Sequence, residues 1–143
     1  LASGRIVGFT TAMTGELFAL LRDHSLLAEF LTGSAADDAA FRSGVREGLA
    51  GGLPVKLFRV RAAALLGRRP PAEATSYTSG LLIGADLACS GLLPGETAHI
   101  LAAPPHDSLY ASAVCLAGGT PATVDSQAAF VAGITRLWKA RPA

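Results

Sequence analysis

A chain of 143 residues is long enough for one domain with a core of its own. Half of it is hydrophobic and 16% is charged, with a mean hydropathy of +0.41, yet its most apolar run, Gly80 to Ala85, is interrupted by Asp86 well short of the ~18 residues that a spanning helix needs. A net charge of +1 gives no electrostatic footprint for nucleic acid, so composition argues against a membrane span and a nucleic-acid binder and assigns the excess hydrophobicity to a core, or to a surface that another chain or domain covers.

The chain opens on Leu1, almost inside a strand and without a charged segment followed by an apolar one, so Leu1 is not read as the start of a signal peptide; one part of a longer protein is the expectation. Residues 5–12 read as a first strand and 15–23 as a helix whose apolar set is Leu17, Leu20 and Leu21 with Phe18 beside it. Between them lies Thr10-Thr11-Ala12-Met13-Thr14-Gly15-Glu16. A strand that hands over to a helix N-terminus presents free N–H groups and partial positive charge. The junction is therefore either an anion site or a plain helix start, with Thr14 as its cap and Glu16 in its first turn. A short second helix is expected from Leu26 to Leu31, stopped by Thr32-Gly33.

The helix expected from Asp38 to Ala50 places Phe41, Val45 and Leu49 on one face, and Gly44 and Gly48 beside them let a neighbouring backbone come close. Val55 to Leu66 reads as another helix, interrupted by Arg59 and Arg61. Arg68-Arg69-Pro70-Pro71 reads as a solvated, stiff link. Glu73 to Ser90 is the longest helix, so continuously apolar that burial on most sides is expected, with Gly80 and Gly84 spaced for tight packing. Ala98 to Ala103 reads as a short buried strand, Pro104 to Asp107 as a loop, and Leu109 to Ala117 as a helix capped by Asp107 or Ser108. Ala122 to Val124 is a further strand, and Asp125 or Ser126 caps a last helix on which Phe130, Gly133, Ile134, Leu137 and Trp138 share a face. The closing strand–helix–strand–helix order predicts parallel strands with a right-handed connection. Ligands in such sheets sit beyond the carboxyl ends of the strands, here Ala102 to Ser108 and Asp125-Ser126. The whole chain, residues 1–143, is read as a single α/β domain.

Familiar catalytic signatures are absent: no phosphate-binding P-loop, no dinucleotide fingerprint and no nucleophile elbow. His106-Asp107-Ser108 are sequence neighbours, which is not triad geometry. Cys89 and Cys115 read as buried free thiols of a reducing cytosol, and three scattered histidines make no metal site. Asp86 is the lone carboxylate inside an apolar helix, and a buried carboxylate needs partners. Two readings stand: a structural hydrogen bond to a helix start or to an arginine such as Arg61, or a ligand contact.

Several stretches together resemble one family. Thr11 to Phe18 followed by His24-Ser25-Leu26-Leu27, Phe41 to Leu49, Leu57 to Arg61, Ser79 to Asp86 and Ala129 to Ile134 are similar, in order and spacing, to the 2-dehydro-3-deoxygalactonokinases. The resemblance implies an actin-like, ribonuclease H-like fold of the sugar kinase/hexokinase superfamily, with two α/β lobes and a short, mostly parallel sheet among many helices. It implies ATP and Mg²⁺ as cofactors and transfer of the γ-phosphoryl group to the 6-hydroxyl of 2-dehydro-3-deoxy-D-galactonate, a small sugar acid, in the cytoplasmic breakdown of galactonate. The chain then corresponds to part of the C-terminal lobe. Its partners are the N-terminal lobe, which in the family carries an Asp-x-Gly phosphate loop and the catalytic aspartate, and a second copy in a homo-oligomer such as a dimer. No catalytic residue and no metal ligand is assigned to this chain, and the 143 residues alone are expected to be inactive. Thr14 and Glu16 would stand on the substrate or Mg²⁺ side, and Ala103, Pro104, His106 and Ser108 on the nucleotide side. Two positions depart from the family pattern: Pro104-Pro105-His106 replaces a Gly- or Ser-containing turn, and Gln127 replaces an acidic residue. A non-catalytic interaction module of the same fold is the alternative.

Overall fold

The computed structural model describes residues 8–140. In chain order the elements are α1 (Thr14–His24), α2 (Ala39–Leu49), α3 (Leu53–Leu65), α4 (Pro71–Ser90), β1 (Thr97–Leu101), α5 (His106–Leu116), β2 (Thr120–Val124) and α6 (Ser126–Lys139). Residues 5–7 of the expected first strand lie outside the described residues, and residues 8–13 form no strand but run as exposed, irregular chain into α1. The helix expected from Leu26 to Leu31 is instead a series of turns. Ser25 makes the bend. Its hydroxyl donates to the Leu21 carbonyl and accepts from the Leu27 N–H at 3.0 Å, so the side chain competes with helix continuation.

α4 is the plank on which the domain is assembled. Every residue from Ala74 to Gly84 is buried, as its continuous hydrophobicity predicts. On one side Ala74, Tyr77 and Leu81 pack with Leu27, Leu31, Ala40 and Val60. On the other, Ile83 packs with Phe41 and Val45 of α2 and with Leu109 and Ala113 of α5. The seam between α2 and α4 is made by two glycine pairs. A Cβ on Gly44 would collide with the Tyr77 carbonyl and one on Gly48 with the Leu81 carbonyl; reciprocally, one on Gly80 would strike the Phe41 carbonyl and one on Gly84 that of Val45. Each helix backbone thus lies in the groove left by the other's missing side chains, the close approach that small residues four apart permit.

Buried hydroxyls on α4 fix the preceding loop. Thr75 Oγ1 donates to the Thr32 carbonyl at 2.8 Å, and Ser76 Oγ accepts from the Ala36 N–H at 3.1 Å. Asp38 caps α2 by accepting from the Phe41 N–H at 2.8 Å. The Pro-Pro link is the start of a helix, not a spacer: Pro70 is the N-cap of α4 and Pro71 its first residue, where a missing N–H costs nothing. Arg69 is not simply solvated either, since its guanidinium lies 3.9 Å from the centre of the Tyr77 ring.

The C-terminal third is built differently. β1 and β2 pair in parallel, Thr97 opposite Thr120 through Leu101 opposite Val124, and they are the two strands of the sheet among the described residues. The parallel expectation holds. The expectation of burial does not, because only Ile100 of β1 is buried. α5 begins earlier than expected, at His106, with Pro105 as N-cap and no capping side chain. The Ser108 hydroxyl donates back to the Pro105 carbonyl at 2.8 Å, and Asp107 accepts from the Ser108 N–H. α6 is capped by Asp125, which accepts from the Ala128 N–H at 2.8 Å. Its shared apolar face exists but is exposed, Phe130 at 68% and Leu137 at 68%. The two cysteines are free, as expected, but exposed, because each sits toward the outer end of its helix. No helix among the described residues is long and apolar enough to cross a membrane.

Candidate functional site

Thr14 was read as a possible cap, and the structure gives its hydroxyl another use. The N-cap of α1 is Met13, which makes no side-chain cap, and Thr14 is the first helical residue. Its Oγ1 donates to Asp86 Oδ2 at 2.9 Å across 72 positions of sequence. Asp86 projects from α4 two residues beyond Gly84, where the helix leaves the buried seam. A third group arrives from α5: the Tyr110 hydroxyl lies 3.5 Å from the same carboxylate oxygen. Of the two sequence-level readings of Asp86, the hydrogen bond to a helix start is the one observed. Arg61 is not the partner, and its buried Nε has no hydrogen-bond partner among the described residues.

The Tyr110 hydroxyl is held above its ordinary pKa first by burial, then by the negative charge of Asp86 and its hydrogen bond to that carboxylate, with Thr14 acting the other way. Both hydroxyls therefore remain protonated donors at neutral pH, and both converge on Oδ2. No hydrogen bond or ion pair reaches Oδ1 from the described residues.

This cluster stands between two cavities. The larger, about 800 Å³, lies along residues 8–14 and α4, with Thr10, Thr11, Thr14, Asp86 and Ser90 among its polar lining and Leu17, Leu53 and Leu82 among its apolar lining. The smaller, about 230 Å³, is lined by Thr14, Arg22, Ser34, Ser79, His106 and Tyr110 among others. Thr14 and Leu82 belong to both walls. Glu16, the other residue expected beside Thr14, is exposed and lines neither cavity; two residues on, roughly half a helical turn, it lies on the opposite face of α1.

A third hollow, about 370 Å³, opens where the parallel sheet predicts it, beyond the carboxyl ends of β1 and β2. Ala103 and Pro104 line it, together with Asp107, Thr123, Asp125 and Gln127. Of the four residues expected there, His106 turns instead into the 230 Å³ cavity beside Thr14, and Ser108 lines none of these hollows. Tyr110 is the participant that sequence reasoning missed. It lies within an expected helix, but nothing local shows that α5 packs so as to bring Tyr110 to Asp86 of α4. Among the described residues there is no group of three His, Cys, Asp or Glu side chains placed to hold a metal ion.

Comparison with known proteins places this chain in a family. The family described as 2-keto-3-deoxy-galactonokinase matches residues 1–137. The 2-dehydro-3-deoxygalactonokinase of Escherichia coli (strain K12) is 41% identical over 87 residues, covering 60% of this chain and 30% of that protein. A protein of Rhizobium meliloti (strain 1021), named Probable 2-dehydro-3-deoxygalactonokinase DgoK1, is 35% identical over 152 residues, covering 98% of this chain and 48% of that protein. The crystal structure of a Sinorhizobium meliloti protein assigned as a 2-dehydro-3-deoxygalactonokinase superposes with a TM-score of 0.86 at 32% identity, over 95% of this chain and 48% of that one. The chain thus spans about half the length, or less, of the relatives it matches.

Proposed function

Because the chain belongs to the 2-keto-3-deoxy-galactonokinase family, we propose that it is the C-terminal lobe of an ATP-dependent sugar-acid kinase of actin-like fold. The reaction is transfer of the γ-phosphoryl group of ATP to the 6-hydroxyl of 2-dehydro-3-deoxy-D-galactonate, with Mg²⁺, in the cytoplasm. The observation that carries this reading is a family match along nearly the whole chain joined to a superposition of TM-score 0.86 on a relative of the same assignment. The hollow beyond β1 and β2 supports the nucleotide side, and the Thr14–Asp86–Tyr110 cluster supports the sugar side.

The described residues do not by themselves fit a triphosphate or its metal ion. No Lys or Arg lines the strand-end hollow, which carries the carboxylates of Asp107 and Asp125, and Pro104 and Pro105 have no N–H to donate. Phosphoryl transfer depends on positioning and on charge stabilisation, so the phosphate-binding and metal-binding groups are assigned outside these 143 residues, to the other lobe and to the Gly-Thr-His phosphate turn that in the family stands just upstream of the segment at residues 5–12. What this chain contributes is a pocket wall without cations for the nucleoside and a hydroxyl-rich wall for the sugar. The exposed apolar face of α6 and the exposed Phe58, Leu65 and Leu66 of α3 support coverage by that lobe or by a second copy.

A coupled assay of ADP release tests the reading. The full-length protein is expected to turn over ATP with 2-dehydro-3-deoxy-D-galactonate, and the 143-residue chain alone to show no turnover above background. Sugar-acid turnover by neither would return the chain to the interaction-module alternative. Turnover by the short chain would overturn the assignment of the phosphate-binding groups to the other lobe.

A further inference from the structure

Asp86 is costly for a merely structural residue. It is half-buried at the end of an apolar helix, and none of the ion pairs among the described residues includes it. Leaving a carboxylate partly dehydrated with no cation is unfavourable unless hydrogen-bond donors meet both of its oxygens. Here two hydroxyls meet one oxygen only. Thr14 at 2.9 Å and Tyr110 at 3.5 Å both address Oδ2, and these bonds fix the plane of the carboxylate. No described residue donates to Oδ1, which keeps acceptor capacity on a residue that lines the 800 Å³ cavity.

The rest of that wall states what could fill the vacant acceptor position. Its hydroxyls, those of Thr10, Thr11 and Ser90, can each donate and accept, and Leu17, Leu53 and Leu82 offer apolar patches between them. Among the described residues no lysine, arginine or histidine lines it, so an anionic group would meet the Asp86 charge with none of them to offset it. A metal ion would find there one carboxylate and the Cys89 thiol, with no second acidic or imidazole ligand among the described residues. A polyhydroxylated carbon chain has the matching character, since its O–H groups donate to a carboxylate while its C–H groups lie on the leucines.

We infer that the cavity between residues 8–14 and α4 is a polyol site in which Asp86 Oδ1 accepts from ligand hydroxyls, with Thr14 and Tyr110 as the residues that position the carboxylate. This rests on the sugar-acid reading above and sharpens it: the cavity takes the uncharged, hydroxylated end of the ligand, and the ligand's own carboxylate is held elsewhere. Selection falls on hydroxyl number and placement.

Direct binding separates this inference from the kinase reading. Galactitol, a neutral polyol, is titrated without ATP into the full-length protein and its Asp86→Asn and Asp86→Ala variants, by ligand-observed NMR with circular dichroism as the check on folding. Wild type is expected to bind galactitol. It should bind a dideoxy analogue about tenfold more weakly, the effect of a hydrogen bond to a charged acceptor. Asp86→Ala should lose about tenfold to a hundredfold in galactitol affinity and, with it, the preference over the deoxy analogue. Asp86→Asn, which keeps the shape and one acceptor oxygen, should retain the fold and lose less. Loss of affinity that is equal for both ligands would mark Asp86 as structural and overturn the inference. So would unchanged binding by folded Asp86→Asn and Asp86→Ala proteins, or saturable binding of putrescine or Mg²⁺ at the site in place of galactitol. Asp86-dependent galactitol binding in a protein that transfers no phosphate would leave the polyol site standing and remove the kinase reading.

Discussion

Two helices of this domain carry apolar side chains and meet opposite fates. α4 is buried on all sides over Ala74 to Gly84, clamped against α2 through reciprocal glycines. α6 carries Phe130, Ile134, Leu137 and Trp138 on one face and has no buried residue. Both contain a glycine in mid-helix, but the space around Gly80 is filled by the Phe41 backbone and the space around Gly133 is open. Hydrophobic content therefore predicts that a face will be covered and says nothing of what covers it. α2 and α4 close a core against each other, whereas the β1–β2–α6 layer presents apolar surface that is open among the described residues.

The sharpest way to break this contrast is to add a side chain to each helix at its glycine. Gly80→Val forces Cγ atoms into the Phe41 carbonyl and should destabilise by about 3 kcal/mol, the upper part of the overpacking range. Gly44→Val should do the same from the other side of the seam. Phe41→Ala, which empties a fully buried position, should cost about 3–5 kcal/mol. Gly133→Ala meets no atom within 4 Å and should be neutral or stabilising by up to about 1 kcal/mol, through backbone entropy alone. Urea melts of the four variants check the set. A Gly80→Val protein that melts with wild type would mean that α2 and α4 do not pack backbone to backbone.

Capping sharpens the same contrast at a smaller scale. Asp38 and Asp125 each accept one N–H of the helix they begin, both at 2.8 Å, and removing either acceptor is worth about 1 kcal/mol. Because α2 is part of the closed core, Asp38→Ala should lower the global urea midpoint. Because α6 buries nothing, Asp125→Ala should leave that midpoint in place and raise amide hydrogen exchange in the first turn of α6 only, a local opening. A shared drop in the global midpoint would show that α6 is coupled to the core after all.

What could be read from the sequence follows the same division. The α2 face of Phe41 and Val45, its glycines, the burial of α4 and the parallel pairing of β1 with β2 are all local patterns, period or punctuation, and they are legible in the sequence. The misreadings fall where another group, near or distant in sequence, competes with the local pattern. Thr14 has the right chemistry for a cap, but its hydroxyl is drawn to a carboxylate 72 positions away. Ser25 bends the chain where Leu26 to Leu31 reads as a helix. Strand β1 has the composition of a buried strand and lies at an open edge, since burial depends on layers and not on the strand. In the candidate site Asp86 stands out in the sequence as a carboxylate within an apolar helix and Thr14 lies at the start of α1, whereas Tyr110 meets them only through the docking of α5.

The smallest effect expected is in acid, where the closed half has a tie that the open half lacks. Asp37 accepts from Arg42 at 2.9 Å and 3.2 Å and from the Ser112 hydroxyl at 3.0 Å, linking the approach to α2 with the outer face of α5. The hydrogen bond from Arg42 is the chief cause that holds the Asp37 carboxyl below its ordinary value of 3.8, with Ser112 adding to it and partial burial opposing. A carboxyl whose pKa is lower folded than unfolded stabilises the fold above the unfolded pKa, and that contribution is lost as pH falls through the folded pKa. Asp37→Asn should therefore be slightly less stable than wild type at pH 7, and the difference should vanish as the pH is lowered below the ordinary carboxylate range. The guanidinium is solvent-exposed, so salt should also shrink the difference. Urea midpoints of the two proteins between pH 7 and pH 3, at low and high salt, give the comparison. A gap that persists undiminished at pH 3 would assign the role of Asp37 to packing against Ser112 and not to its charge.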